Sequence, residues 1–122
     1  MTDLAAPGAA RFPEVPGPGA HYESFYVKAS DPQRPRGVWI RYTVFKRPGQ
    51  ALVGSLWCTL WPDGAGPVAR KVTVGAAELG AGGDDYIRVA TSRLAPGLVV
   101  GEAGDAGWDL RFDAAAAPFA PP

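Results

Sequence analysis

The sequence is poor in the residues on which most active sites are built. A single cysteine, Cys58, in 122 residues excludes an internal disulfide and a cysteine-rich zinc site. A single histidine, His21, excludes a histidine-rich metal site and makes any Ser-His-Asp arrangement depend on a residue just ahead of a strand. His21 is expected at the surface. No apolar run approaches the roughly 18 to 20 residues that a spanning helix needs, so no membrane-spanning segment is expected. The opening MTDLAAPGAARF has no long apolar run behind positive charge, so no secretory leader is read and a cytoplasmic location is expected. Neither sign of charge is in excess: 12 basic residues against 12 acidic ones remove the usual electrostatic case for nucleic acid or an anionic membrane surface, nothing in the order of residues suggests a local basic patch, and no nucleic-acid partner is expected.

The glycine-rich segments also lack what would make them sites. GAGG (Gly80 to Gly83) and GEAGDAG (Gly101 to Gly107) carry no Lys-Ser/Thr and no long helix follows them, which excludes a phosphate-binding loop and leaves hairpin loops. Asp84, Asp85, Asp105 and Asp109 lie beside glycines without calcium-loop spacing, so turn formation accounts for them. Neither a metal nor an organic cofactor is expected.

What the chain does have is 13 prolines and 16 glycines, which break helix interiors and serve turns. Residues 1–20, ending in VPGPGA, read as a flexible arm outside the core, and residues 115–122 as a linker-like tail. The domain proper is expected over 21–114. It contains seven runs rich in β-branched and aromatic residues: Tyr22 to Ala29, Gly37 to Lys46, Val53 to Trp61, Val68 to Val74, Tyr86 to Ala90, Gly97 to Glu102 and Trp108 to Phe112. Such spacing predicts an antiparallel meander. The one helix candidate, Ala76 to Leu79, is a single turn at a strand end.

Alternation along these runs leaves no purely polar side. Glu23, Phe25, Val27 and Ala29 share one face of the first run, and Tyr22, Ser24, Tyr26 and Lys28 the other. Val38, Ile40, Tyr42 and Val44 oppose Trp39, Arg41, Thr43 and Phe45 on the second. On the third, Leu56, Cys58 and Leu60 oppose Ser55, Trp57, Thr59 and Trp61. A sheet apolar on both faces needs covering on both. The cover is a ligand, a second domain or a homodimer partner.

Several words in this order resemble a known family. ESFYVKASDP, RGVWIRYTVFKRPG and GSLWCTLW, with VARKVTV and WDLRF further on, resemble the N-terminal half of bacterial carotenoid 1,2-hydratase-like (hydroxyneurosporene synthase-like) proteins, over roughly Tyr22 to Phe112. The resemblance implies one of two tandem lipocalin-like barrel domains. The expected fold is therefore all-β, an antiparallel meander forming a lipocalin-like barrel or half-barrel that is incomplete by itself. A GHNWG-type segment associated with the family's second half is missing. For a full-length enzyme the resemblance implies acid-assisted addition of water to an isoprenoid double bond, a hydro-lyase-type reaction without an organic cofactor, with this chain alone inactive.

The expected function is binding of a hydrophobic, isoprenoid or lipid-like small molecule. The alternative is a non-catalytic structural domain packed against a second β-barrel domain. Antiparallel pairing of the first two runs would bring Glu23 and Arg41 together as a polar pair, structural or at a pocket, and Glu23 is the one candidate acid or base. Lys71 is expected to join Glu23 inside. Phe25, Trp39 and Trp57 supply flat apolar surface for the ligand, which completes the candidate set of Glu23, Phe25, Trp39, Arg41, Trp57 and Lys71. Cys58 is expected to be a small core residue, and Trp61 and Phe119 to face a second domain.

Overall fold

A computed structural model describes residues 9–14 and 18–112. Its nine strands follow the alternation of the sequence: β1 (His21–Ser30), β2 (Gly37–Lys46), β3 (Val53–Trp61), β4 (Val68–Gly75), β5 (Leu79–Gly82), β6 (Asp85–Val89), β7 (Ser92–Ala95), β8 (Leu98–Ala103) and β9 (Ala106–Arg111). The strands form two antiparallel meanders, a four-stranded sheet in the order β1-β2-β3-β4 and a five-stranded sheet in the order β5-β6-β7-β8-β9. No ladder joins the sheets among the described residues, so this all-β fold is an open, incomplete barrel rather than a closed one. Ala76–Glu78 forms a single 3₁₀ turn that carries the chain from β4 into the second sheet.

Two of the nine strands have no counterpart among the expected runs. LGAG, β5, lies largely within a segment expected to be a loop, and SRLA, β7, is only four residues long. The GEAGDAG segment is mostly strand, with the end of β8 and the start of β9 meeting around Gly104.

The apolar inner faces of the two sheets close on one core. Ile40, Tyr42, Val44, Leu56 and Cys58 from the first sheet meet Ile87, Val89, Leu94, Val99 and Trp108 from the second. The most deeply placed of these are fully out of water, and burying each large side chain stabilises the fold by about 1.5–3 kcal/mol. Glycines admit the close contacts. A Cβ on Gly54 would lie 2.1 Å from the Leu79 side chain, and one on Gly101 would lie 2.3 Å from Ser92 Oγ. At these two positions any side chain would displace a neighbour in a densely packed interior.

Tyr42 ties the sheets together. Its hydroxyl donates to the Arg93 carbonyl at 3.0 Å and accepts from Trp108 Nε1 at 3.4 Å. Burial pushes the phenol up to about 12, so it stays protonated as a donor. Cys58 is buried as expected, and burial raises its thiol pKa.

The expectation that residues 1–20 stay clear of the core fails at two places. Ala10 and Phe12 are buried, and the Ala10 amide donates to the Tyr86 carbonyl at 2.7 Å. Phe12 begins a short 3₁₀ turn, Phe12–Glu14. An aromatic residue in an otherwise Ala-Pro-Gly stretch gains more from burial than that stretch loses in freedom.

Candidate functional site

Register, which sequence alone does not set, decides where each candidate residue lies. Glu23 pairs with Val44, and Tyr26 with Arg41. Residues directly opposite share a face, so Glu23 and Arg41 lie on opposite faces and the expected Glu23–Arg41 pair does not form. Arg41 instead donates through Nε to Ser24 Oγ at 3.0 Å and through Nη2 to the Tyr22 hydroxyl. Both partners belong to the outer face.

Glu23 stands on the inner-face register near one end of β1, and its partners are close in space. The Arg11 amide lies 2.8 Å from each of its carboxylate oxygens, and His21 Nε2 lies 2.6 Å from Oε1. The carboxylate thereby fastens the segment that carries Ala10 and Phe12 to the sheet. His21, expected at the surface, is half-buried in this contact.

Lys71 does not join Glu23 inside. It pairs with Trp57 across β3 and β4, and its Nζ lies 4.1 Å from the centre of the Trp57 ring on the outer face. The charge that takes the inner register is Arg70, opposite Cys58. Because β4 is an edge strand, Arg70 reaches past the core and pairs with Asp105 in the β8–β9 turn at 2.5 Å. The six candidates thus divide: Glu23 and Phe25 inward, Trp39, Arg41, Trp57 and Lys71 outward. Phe25 alone of the six packs on the core cluster.

Ile40, Tyr42, Leu56, Ile87 and Val99 are fully out of water in the middle of the core, and room for a ligand is found at the end. There, about 20 Å along β1 from Glu23 by the rise of six residues, the inner faces part around a groove of about 500 Å³. Its walls are Ala29, Val38 and Leu60 of the first sheet and Leu110 of the second, so both sheets contribute; Trp61, on the outer-face register at the very end of β3, and Pro62 close its edge, and its rim holds Asp31 and Arg36. The volume lies within the range of about 300–1,000 Å³ common for small-molecule sites.

The β1–β2 connection shapes this rim. Asp31 accepts from the Gln33 amide and from Arg36 Nε, both at 2.8 Å. The Gln33 amide first, and then the Arg36 guanidinium, hold its carboxyl below the ordinary value. Arg34 reaches from the same connection to Asp63 at 2.7 Å, beyond β3. Of the groove's residues, Trp61 alone stands out in the sequence, where it is expected to contact a second domain. Leu60 and Val38 looked like ordinary core positions, because their place at the sheet's end is a matter of register and length. Phe119 lies outside the described residues.

A second polar cluster lies at the start of β6. Arg93 Nη2 and Arg88 Nη1 approach Asp85 at 2.7 and 2.9 Å. Burial opposes the ionised form of Asp85, but the hydrogen bonds from Arg93 and Arg88 outweigh it, and the carboxyl sits below its ordinary value. With every oxygen engaged by a local arginine, this cluster braces the β6–β7 hairpin. Among the described residues, no group of three or more His, Cys, Asp or Glu is placed to hold a metal, and no helix is long and apolar enough to cross a membrane.

Compared with family models, curated proteins and solved structures, the chain matches none, so the resemblance to carotenoid 1,2-hydratase-like proteins rests on its short sequence words alone.

Proposed function

We propose that this chain binds a hydrophobic, isoprenoid or lipid-like small molecule in the groove at the end of the two sheets, and that it does so as the N-terminal domain of a carotenoid-hydratase-like protein. The observation that carries this reading is the groove's lining. Ala29, Val38, Leu60, Trp61, Pro62 and Leu110 present a largely apolar surface, while the polar groups at its margin are Ser30 and the Asp31–Arg36 pair, whose charges are tied to one another. Apolar walls with few polar groups at the margin suit a ligand that is long, flat and poor in hydrogen-bonding atoms.

Binding rather than chemistry is the role supported. Glu23, the candidate acid, lies at the other end of β1 and is engaged by Arg11 and His21. No general acid or base stands within the groove except Asp31, whose carboxylate is held ionised by its neighbours. A proton donor to an alkene needs the opposite bias.

The test is a titration of the purified chain with retinol or a fluorescent fatty acid, followed by tryptophan emission. Saturable quenching is expected, because Trp61 lines the groove. Leu110→Glu places a charge in the apolar wall and should abolish the response while leaving the circular dichroism spectrum unchanged. No saturable response from the folded wild-type chain would overturn the proposal and leave the non-catalytic structural role.

A further inference from the structure

The outer face of β1–β4 is a different kind of surface from the groove, and it is ordered by rows. Register places Tyr26, Arg41, Trp57 and Lys71 in one line across the four strands, so that rings and cations alternate. The next line is Ser24, Thr43, Ser55 and Thr73, hydroxyls throughout. Lys28 stands opposite Trp39 in the line on the other side. Through all the paired positions of this face there is no aspartate or glutamate. Tyr26 is 64% exposed and Trp57 37%.

We propose that this face binds single-stranded nucleic acid. Flat rings that stand clear of the core can stack on bases of any sequence, and cations flanked by a line of hydroxyls, of which Thr43 alone is buried, suit a phosphate backbone. Balanced totals do not oppose this, because an approaching polyanion meets the local field and not the sum. Here three cations stand on a face without a carboxylate. The cations are also held in place, Arg41 by Ser24 and Tyr22, Lys71 over the Trp57 ring. A second copy laid face to face would oppose cation with cation. An apolar protein partner would bury Lys28, Arg41 and Lys71 without counter-charges, which is costly. The mixed row spans three inter-strand gaps, about 14 Å, so the site is short, at the low end of the roughly 4–16 nucleotides that a single-strand-binding domain covers.

The experiment uses the full chain and a fluorescein-labelled oligo(dT) of about 12 nucleotides, read by anisotropy and by tryptophan quenching. Saturable binding is expected. Three phosphate contacts give a log-log salt slope of about −2, or roughly a 20-fold loss of affinity between about 50 and 200 mM salt. Trp57→Leu and Lys71→Gln should each weaken binding, the former by about tenfold. Both residues are exposed, and if Trp57→Leu fails to fold, Lys71→Gln decides. Absence of binding at about 100 µM chain in about 50 mM salt would overturn the proposal. So would binding that neither variant weakens, which would place the contact elsewhere. Poly-glutamate that binds as tightly as oligo(dT) would also overturn it, in favour of an acidic protein partner.

Discussion

Leu56 and Trp57 are neighbours on β3 and point to opposite faces of one sheet. Leu56 is completely buried against the second sheet, whereas Trp57, the larger residue, stays 37% exposed with Lys71 over its ring. The same division runs through β2, where Ile40, Tyr42 and Val44 are buried in the core and Trp39 and Arg41 are only half-buried on the far side. Aromatic and aliphatic residues occur on both faces, so composition does not tell them apart. The difference is one of charge and of cover: the inner face is shielded by β5–β9, and its one mid-strand charge in the first sheet, Arg70, lies on the edge strand and reaches out to Asp105, while the outer face carries cations in mid-strand on β2 and β4. Hydrophobic content therefore identifies a sheet, and the position of its charges shows which side the fold has closed.

The sharpest way to break this comparison is to truncate the two neighbours. Leu56→Ala should destabilise the chain by about 2–5 kcal/mol, since it opens a cavity in a filled interior. Trp57→Ala removes more atoms yet should cost only about 1 kcal/mol, the worth of a partly exposed cation–π contact and little else. Urea unfolding of both variants measures the difference, and equal losses would mean that the outer face is as firmly packed as the inner.

Tyr42 sharpens the inner half of the comparison. Tyr42→Phe leaves Trp108 Nε1 without its acceptor and should cost about 1–2 kcal/mol near neutral pH. The pH dependence has a definite sign. The phenol ionises near 10 in an unfolded chain but only at about 12 in the folded one, so its contribution is complete below pH 10 and is lost as pH rises towards 12. A shift of this size corresponds to about 3 kcal/mol. Thermal melts from pH 8 upward should show a declining limb in the wild type that is shallower in Tyr42→Phe. The smallest effect is expected outside: Lys71→Gln should change stability by about 0.5–1 kcal/mol at most, visible as a slight shift of the urea midpoint.

Much of the fold was legible from alternation. The bounds of β2 and β3 follow from runs of β-branched and aromatic residues closed by Pro or Gly, and the shared sides within each strand follow from the period of two. Two strands were not legible. β5 is LGAG, whose glycines give no alternation to read, and β7 is SRLA, too short for a period and closed by Pro96 and Gly97. The burial of Phe12 was equally hidden, because one aromatic residue in an irregular segment has no pattern around it. Alternation fixes the sides of one strand but not their match with the next. That is why Glu23 could be placed with Phe25 and Arg41 with Trp39, while the supposed Glu23–Arg41 contact failed. The groove was illegible for a related reason: Ala29, Val38, Leu60 and Leu110 look like core until the two sheets are seen to part around them.

The proposed apolar ligand lies in the groove at the end of the sheets and not in the core between them. One measurement tests this placement most directly: parallel titrations of the wild type, Trp61→Ala and Tyr42→Phe with a fluorescent fatty acid, read from the probe's own emission. Trp61→Ala should weaken binding by about tenfold, the worth of about 1.4 kcal/mol of lost contact, and Tyr42→Phe should leave the affinity unchanged. Loss of binding in Tyr42→Phe with full affinity retained in Trp61→Ala would put the ligand between the sheets and contradict this placement.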